Sequence, residues 1–264
     1  YGTTLPHLCY SDKPGYRADG NCRACMVSIE GERVLAASCI RTPSERMKVY
    51  TKDERSSKSR EMVIELLVTD QPKKEICHDP DSHFWQMADK VNVKKSRFDK
   101  RNPETIPEAD NSHVAMSVNL DACINCNLCV RACREVQVND VIGMGNRGHT
   151  SQVIFDFNDP MGDSTCVSCG ECVQACPTGA LMESNLLDEK GKKVVKPDRK
   201  VDSLCPYCGV GCQLTYNIKG EKIVSVDGRD GPANNNRLCV KGRFGFDYVN
   251  NPERLTKPLI RIKG

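Results

Sequence analysis

Cys123-Ile124-Asn125-Cys126-Asn127-Leu128-Cys129-Val130-Arg131-Ala132-Cys133 recurs in outline as Cys166-Val167-Ser168-Cys169-Gly170-Glu171-Cys172-Val173-Gln174-Ala175-Cys176, followed by Pro177. Each run reads C-x2-C-x2-C-x3-C, with Val, a polar residue and Ala before its last cysteine. Working outward, Cys205, Cys208 and Cys212 form a compact loop with Cys239 further on, and Cys9, Cys22, Cys25 and Cys39 form a fourth set. Sixteen of the 17 cysteines thus fall into four groups of four, and Cys77 stands apart. A thiolate is a soft, charged ligand, and four of them on short loops suit an iron–sulfur cluster. Four such groups in one chain imply a path for electrons.

Composition narrows the alternatives. A disulfide scaffold is expected in small secreted chains, whereas this one has 264 residues and repeated C-x2-C turns, which serve metals better than disulfides. Structural zinc is the competing metal reading, but it favours two close cysteine pairs, unlike the Cys9 to Cys39 set. A net charge of +3 gives no polyanion-binding signal, so nucleic acid is not an expected partner. No apolar run is long enough to span a membrane. Oxygen-sensitive thiolate clusters fit a reducing cytoplasm. With 5% aromatic residues and a mean hydropathy of −0.50, the cores are expected to be small, and bound clusters to supply part of the folding free energy.

The reading is an α+β protein of four modules. Residues 1–55 form the first, with short strands expected at Met26–Glu30, Val34–Ala37 and Met47–Tyr50. Its Gly20-Asn21-Cys22-Arg23-Ala24-Cys25-Met26-Val27-Ser28-Ile29 and Ser38-Cys39 resemble the [2Fe–2S] domain of NADH-dehydrogenase large subunits, hydrogenase diaphorase subunits and NAD-linked formate dehydrogenases. That resemblance implies a β-grasp ferredoxin fold whose first hairpin lies before Tyr1, and Cys9, Cys22, Cys25 and Cys39 as [2Fe–2S] ligands. Residues 56–113 are a helix and a polar spacer. The helix is expected over Ser56–Asp70, with Met62, Val63, Ile64, Leu66 and Leu67 on its apolar face. In the relatives just named the spacer often holds a histidine-ligated [4Fe–4S] cluster. Here only Cys77, His78 and His83 remain, without ligand spacing, so Cys77 reads as a spare thiol and His78, His83 and His113 as packing or surface residues. Asp81-Ser82-His83-Phe84-Trp85 is expected to pack on a neighbouring domain.

Residues 114–200 hold the repeat, which resembles the two-cluster bacterial ferredoxins. In that family the fourth cysteine of each run ligates the other cluster. The resemblance implies one [4Fe–4S] cluster on Cys123, Cys126, Cys129 and Cys176, and another on Cys166, Cys169, Cys172 and Cys133. The 32 residues between Cys133 and Cys166 are a longer insert than a minimal ferredoxin needs, and Asp188–Lys200 reads as a charged linker. Residues 201–264 form the fourth module, with a hairpin at Gln213–Ile218 and Lys222–Val226. Cys205-Pro206-Tyr207-Cys208-Gly209-Val210-Gly211-Cys212 and Leu238-Cys239-Val240-Lys241 resemble the N-terminal [4Fe–4S] domain of the molybdopterin oxidoreductases. In that family the chain runs on into pterin-binding domains. The resemblance implies a cluster on Cys205, Cys208, Cys212 and Cys239, and Lys241 as an electron bridge between cluster and pterin.

Taken together the modules resemble the catalytic alpha subunit of a soluble NAD-dependent formate dehydrogenase. That implies one [2Fe–2S] and three [4Fe–4S] clusters, a molybdenum or tungsten bis-molybdopterin guanine dinucleotide held beyond Gly264, and a diaphorase-like beta subunit with FMN and NAD. The catalytic residues would also lie beyond Gly264, and a higher oligomer is compatible. An NADH-dehydrogenase-like or hydrogenase-linked subunit and a stand-alone polyferredoxin are the alternative readings.

Overall fold

Asp53 opens the longest helix by accepting the backbone N–H of Ser56 at 3.1 Å, so α1 (Glu54–Thr69) starts two residues before the expected Ser56. In the computed structural model, which describes residues 4–100, 102 and 105–262, α1 buries Ser56, Arg60, Ile64 and Val68. Of the expected apolar face this i, i+4 row keeps Ile64 alone. Met62 and Leu66 are exposed, while Val63 and Leu67 only flank the core. The cause is Arg60, whose guanidinium donates to Met26 O and Thr51 O, both at 2.7 Å. Those carbonyls satisfy a buried cation and turn its row inward.

The first sheet has β1 (Met26–Ile29) between β2 (Ala36–Ala37) and β3 (Val49–Tyr50), all antiparallel. All three strands are shorter than expected. The polar spacer contains a helix, α2 (His83–Lys90), capped by Ser82. Its Phe84 and Trp85 are fully buried with Leu8, Ala24, Ile64, Val68 and Cys77. Phe84 N–H also donates to Pro177 O at 2.8 Å, so α2 joins α1 and the loop before β1 to the end of the second cysteine run.

The repeat sits between β4 (Met116–Val118) and β7 (Leu181–Glu183), which pair antiparallel before the first run and after the second. Each run carries a short helix, α3 (Leu128–Arg131) and α4 (Glu171–Ala175). After α3 the chain widens into a π-helical turn, Ala132–Val136. The long insert folds as a hairpin of β5 (Ile142–Gly145) and β6 (Gln152–Phe155).

The chain divides into two compact units, one ending at Val194 and the other beginning at Val195. The expected linker Asp188–Lys200 is largely structured. Its first half is a tight turn in which Lys193 N–H donates to His78 O at 2.8 Å and Lys193 Nζ pairs with Asp79 at 2.9 Å. Its end belongs to β8 (Arg199–Leu204).

The second unit is a sheet ordered β10-β9-β8, with β9 (Gln213–Lys219) and β10 (Lys222–Gly228) forming the hairpin. Leu214, Val226, Leu238 and Phe246 make its core. Asn234 returns the chain toward that core, with its amide bonded to Gln213 O, Arg229 O and Arg237 O. Gly228 permits the crossing, since a Cβ there would lie 1.9 Å from Asn236 O.

Candidate metal centres

Both repeated runs coil the backbone around their own sulfurs. The first turns through Asn125 (φ 51°) and Asn127 (φ 61°), the second through Ser168 (φ 55°) and Gly170 (φ 68°). These left-handed residues aim amides inward. Asn125 N–H reaches Cys123 Sγ at 3.4 Å, and Ser168 N–H reaches Cys166 Sγ at 3.4 Å. Amide donation of this kind stabilises negative charge on sulfur and tunes cluster potentials.

The last cysteine of each run stands with the other run. Cys176 lines a small apolar cavity with Cys123, Cys126 and Cys129, walled by Leu120, Ile124 and Leu181. Burial pushes the Cys126 thiol up, and the neighbouring Cys176 and Cys123 push it further. Burial also raises Cys172, where the neighbouring thiols are Cys169, Cys166 and Cys133. Cys133 Sγ accepts Val141 N–H at 3.3 Å, so the π-helical turn and the start of the insert complete its surroundings.

In the first module Cys22 N–H donates to Cys9 Sγ at 3.4 Å. Hydrogen bonding from the Cys22 side chain holds Cys9 low, at about 5, while the same contact raises Cys22. Cys39 is pushed up to about 12, first by burial and then by Cys25. In the second unit Cys205, Cys208 and Cys212 occupy the β8–β9 loop, closed by Cys205 N–H to Cys212 O at 2.8 Å. Burial raises Cys212, followed by repulsion from Cys205, Cys208 and Cys239. Cys239 is the residue before α5 (Val240–Phe244), and Lys241 is exposed in that helix's first turn.

The donor set fits iron–sulfur clusters. Among the described residues no three Cys, His, Asp or Glu side chains converge closely enough to hold a single ion. A tetrahedral zinc would need its sulfurs about 2.3 Å from one point. Wider quartets of soft thiols suit a polynuclear group, whose own irons and sulfides fill the space between the ligands.

Three families match in succession: the 2Fe-2S iron-sulfur cluster binding domain over residues 1–54, the 4Fe-4S dicluster domain over 122–180, and the molybdopterin oxidoreductase Fe4S4 domain over 198–251. This chain is an iron–sulfur electron-transfer module of oxidoreductase type. It is 28% identical to a putative formate dehydrogenase of Staphylococcus haemolyticus over 99% of its length, and 32% identical to an NADH-quinone oxidoreductase subunit of Rhizobium meliloti over its whole length. It spans only 30% of each of those relatives. A crystal structure of an NAD+-reducing [NiFe]-hydrogenase in the H2-reduced state superposes with a TM-score of 0.60 at 26% identity, covering 69% of this chain and 76% of that one. The likeness to the putative formate dehydrogenase and to the NADH-quinone oxidoreductase subunit thus runs through all three matched domains, whereas the molybdopterin oxidoreductase domain itself covers residues 198–251. No helix among the described residues is long and apolar enough to cross a membrane.

Cys77 joins none of the quartets. It is buried beside Trp85, and its Sγ donates to Lys74 O at 3.2 Å. His83 Nε2 donates to His7 O at 2.7 Å, and His113 Nε2 meets Ser168 Oγ at 2.8 Å. His78 has a stronger partner, Asp121, at 2.8 Å. Two polar residues that sequence reasoning passed over lie among the thiols. Arg131 is buried between the Cys9 loop and the first run, and the buried Glu171 accepts Tyr16 Oη–H at 2.8 Å. The only sequence signal for Arg131 was the break in the repeat, Arg131 against Gln174.

Proposed function

We propose that this chain carries electrons between a molybdenum or tungsten pterin site that interconverts formate and carbon dioxide and a diaphorase-like partner holding FMN and NAD. The carrying observation is the order of its domains, which ends in the Fe4S4 domain of molybdopterin oxidoreductases with Lys241 just after Cys239. Cys9, Cys22, Cys25 and Cys39 would hold a [2Fe–2S] cluster. Cys123, Cys126, Cys129 and Cys176, then Cys166, Cys169, Cys172 and Cys133, and finally Cys205, Cys208, Cys212 and Cys239 would hold three [4Fe–4S] clusters. Such groups supply one-electron storage without proton chemistry. Within each unit the chain's own loops position the thiols, and in the repeated runs backbone amides donate to sulfur. The relative described as a putative formate dehydrogenase supports formate as the substrate. The hydrogenase neighbour and the NADH-quinone oxidoreductase relative favour a second reading, in which the same wire serves another donor.

The test uses the full-length protein in its native complex. We expect about fourteen irons for this module, the sum of those cluster types, and rapid reduction of its clusters by formate. Lys241→Ala should slow that reduction in stopped flow while leaving iron content and reduction from the NADH end unchanged. Lys241→Arg should rescue only in part, because a planar guanidinium is not an ammonium. Clusters that NADH reduces and formate does not would favour the second reading.

A further inference from the structure

Arg131 is a buried cation, with its side chain only 2% exposed. It does not belong to one metal centre. Its Nη2 donates to Cys9 O at 2.7 Å and, at 3.4 Å, to Cys126 O. Its Nη1 donates to Arg17 O, and its Nε lies 3.1 Å from an Asp19 carboxylate oxygen. Cys9, Cys126 and Leu128 share one buried cluster, with Cys22, Ile124 and Tyr16 packed against it. The guanidinium thus spans two loops that carry thiols of different quartets. The matching residue of the second run is Gln174, which has no charge.

Placing a cation there is costly unless it serves something negative. Asp19 offsets part of the charge, and four carbonyls solvate it, those of Cys9, Arg17 and Cys126 together with Asn127 O, 3.4 Å from Nε. Reduced iron–sulfur clusters held by thiolates are anionic, and the centres on both sides gain negative charge when they accept an electron. A fixed positive charge at low dielectric favours the reduced state of each neighbour.

We propose that Arg131 is the shared electrostatic joint between the Cys9 centre and the centre of Cys123, Cys126, Cys129 and Cys176, holding both reduction potentials up together. It is a positioning residue with an electrostatic role, and the inference rests on the iron–sulfur reading above. It predicts a coupled response in two centres that sequence places in separate domains. The centre of Cys166, Cys169, Cys172 and Cys133, whose run carries Gln174, should respond least among the centres of the first unit.

The experiment is an EPR-monitored redox titration of the full-length complex, with dithionite as reductant and iron content measured on every sample. Arg131→Gln, which copies the second run, should lower both potentials. The reduced-to-oxidised ratio at fixed potential should fall about tenfold in each centre, which is about 59 mV for a one-electron couple. Asp19→Asn should move both potentials the other way, because it removes the offsetting anion and keeps the cation. Arg131→Lys should restore most of the shift. Opposite signs in Arg131→Gln and Asp19→Asn are not what loosened packing produces. Should Arg131→Gln fail to load iron, Asp19→Asn decides alone. Unchanged potentials in an iron-replete variant, or a shift confined to one centre, would overturn the proposal. Wild-type protein without iron would instead overturn the cluster reading beneath it.

Discussion

Cys123–Cys133 and Cys166–Cys176 share spacing, left-handed turns and the amide bond to the first sulfur, yet they are tied to different surroundings. In the first run Arg131 reaches Cys9 O and Asp19, and Asp121 grips His78. In the second run the matching positions are Gln174 and Ser164, and Ser164 Oγ bonds locally, donating to Met161 O at 2.7 Å and accepting Cys166 N–H at 3.4 Å. The exits differ too. Cys133 leaves through a π-helical turn toward a hairpin, while Cys176 leaves through Pro177, whose carbonyl holds α2. Ligand spacing is set by the chemistry of the cluster and so repeats. The residues between and around the ligands are free to diverge, and they decide what each centre is coupled to.

The largest expected effect breaks the comparison at its crossing point. Cys176→Ser should remove the [4Fe–4S] centre of the first run, and Cys133→Ser that of the second, with about four irons lost in each case. The two variants are separable by EPR. The first-run centre packs against Cys9, so its spin should couple magnetically to the reduced [2Fe–2S] centre. That coupling should vanish in Cys176→Ser and persist in Cys133→Ser. The reverse assignment would show that each run closes on its own fourth cysteine.

A middle-sized effect sharpens the comparison at the turns. Gly170 and Asn127 occupy the same left-handed position, at φ 68° and 61°. Gly170→Ala should destabilise the first unit by about 1–2 kcal/mol, the cost of a Cβ in that conformation. Asn127→Gly removes a side chain from an already tolerated turn and should stay within about 0.5 kcal/mol of wild type. Anaerobic urea unfolding, followed by cluster absorbance, measures both. Equal losses would mean that the Asn127 side chain carries structure that its backbone angle does not reveal.

Legibility followed the same division. The cysteine runs were readable because thiolate spacing is local, whereas the crossing of Cys133 and Cys176 comes from the family resemblance and is what the two serine variants test. The inward row of α1 was not readable, because Arg60 looks like a surface residue until Met26 O and Thr51 O are brought to it. The helix α2 went unread in a polar stretch because eight residues are short for a periodic signal, although Phe84, Trp85, Met87 and Ala88 do share one buried face. Arg131 stood in plain view as a difference between the runs. Its reach to Cys9 depends on the packing of one module against another, which no spacing encodes.

The smallest expected effect sets one histidine against another. His78 Nδ1–H donates to Gly191 O at 2.9 Å and Nε2–H to Asp121 at 2.8 Å, so both ring nitrogens face acceptors. Burial works against the cation, but Asp121 prevails and raises the His78 pKa above its usual 6.5. Beside the second run, burial lowers His113 below 6.5, with Asp110 opposing only in part. The signs are therefore opposite. A raised folded-state pKa contributes stability that is complete below the unfolded value and is lost as pH rises through the folded one. A lowered pKa contributes nothing at high pH, and it costs stability as pH falls below the unfolded value. Relative to wild type, His78→Gln should lose more stability at pH 5.5 than at pH 8.5, working from the unfolded value of about 6.5. His113→Gln should compare better at the acid end than at the alkaline end. Urea midpoints across that range check both. Parallel pH profiles for the two variants would mean that the carboxylate at Asp121 does not distinguish the first run's surroundings from the second's.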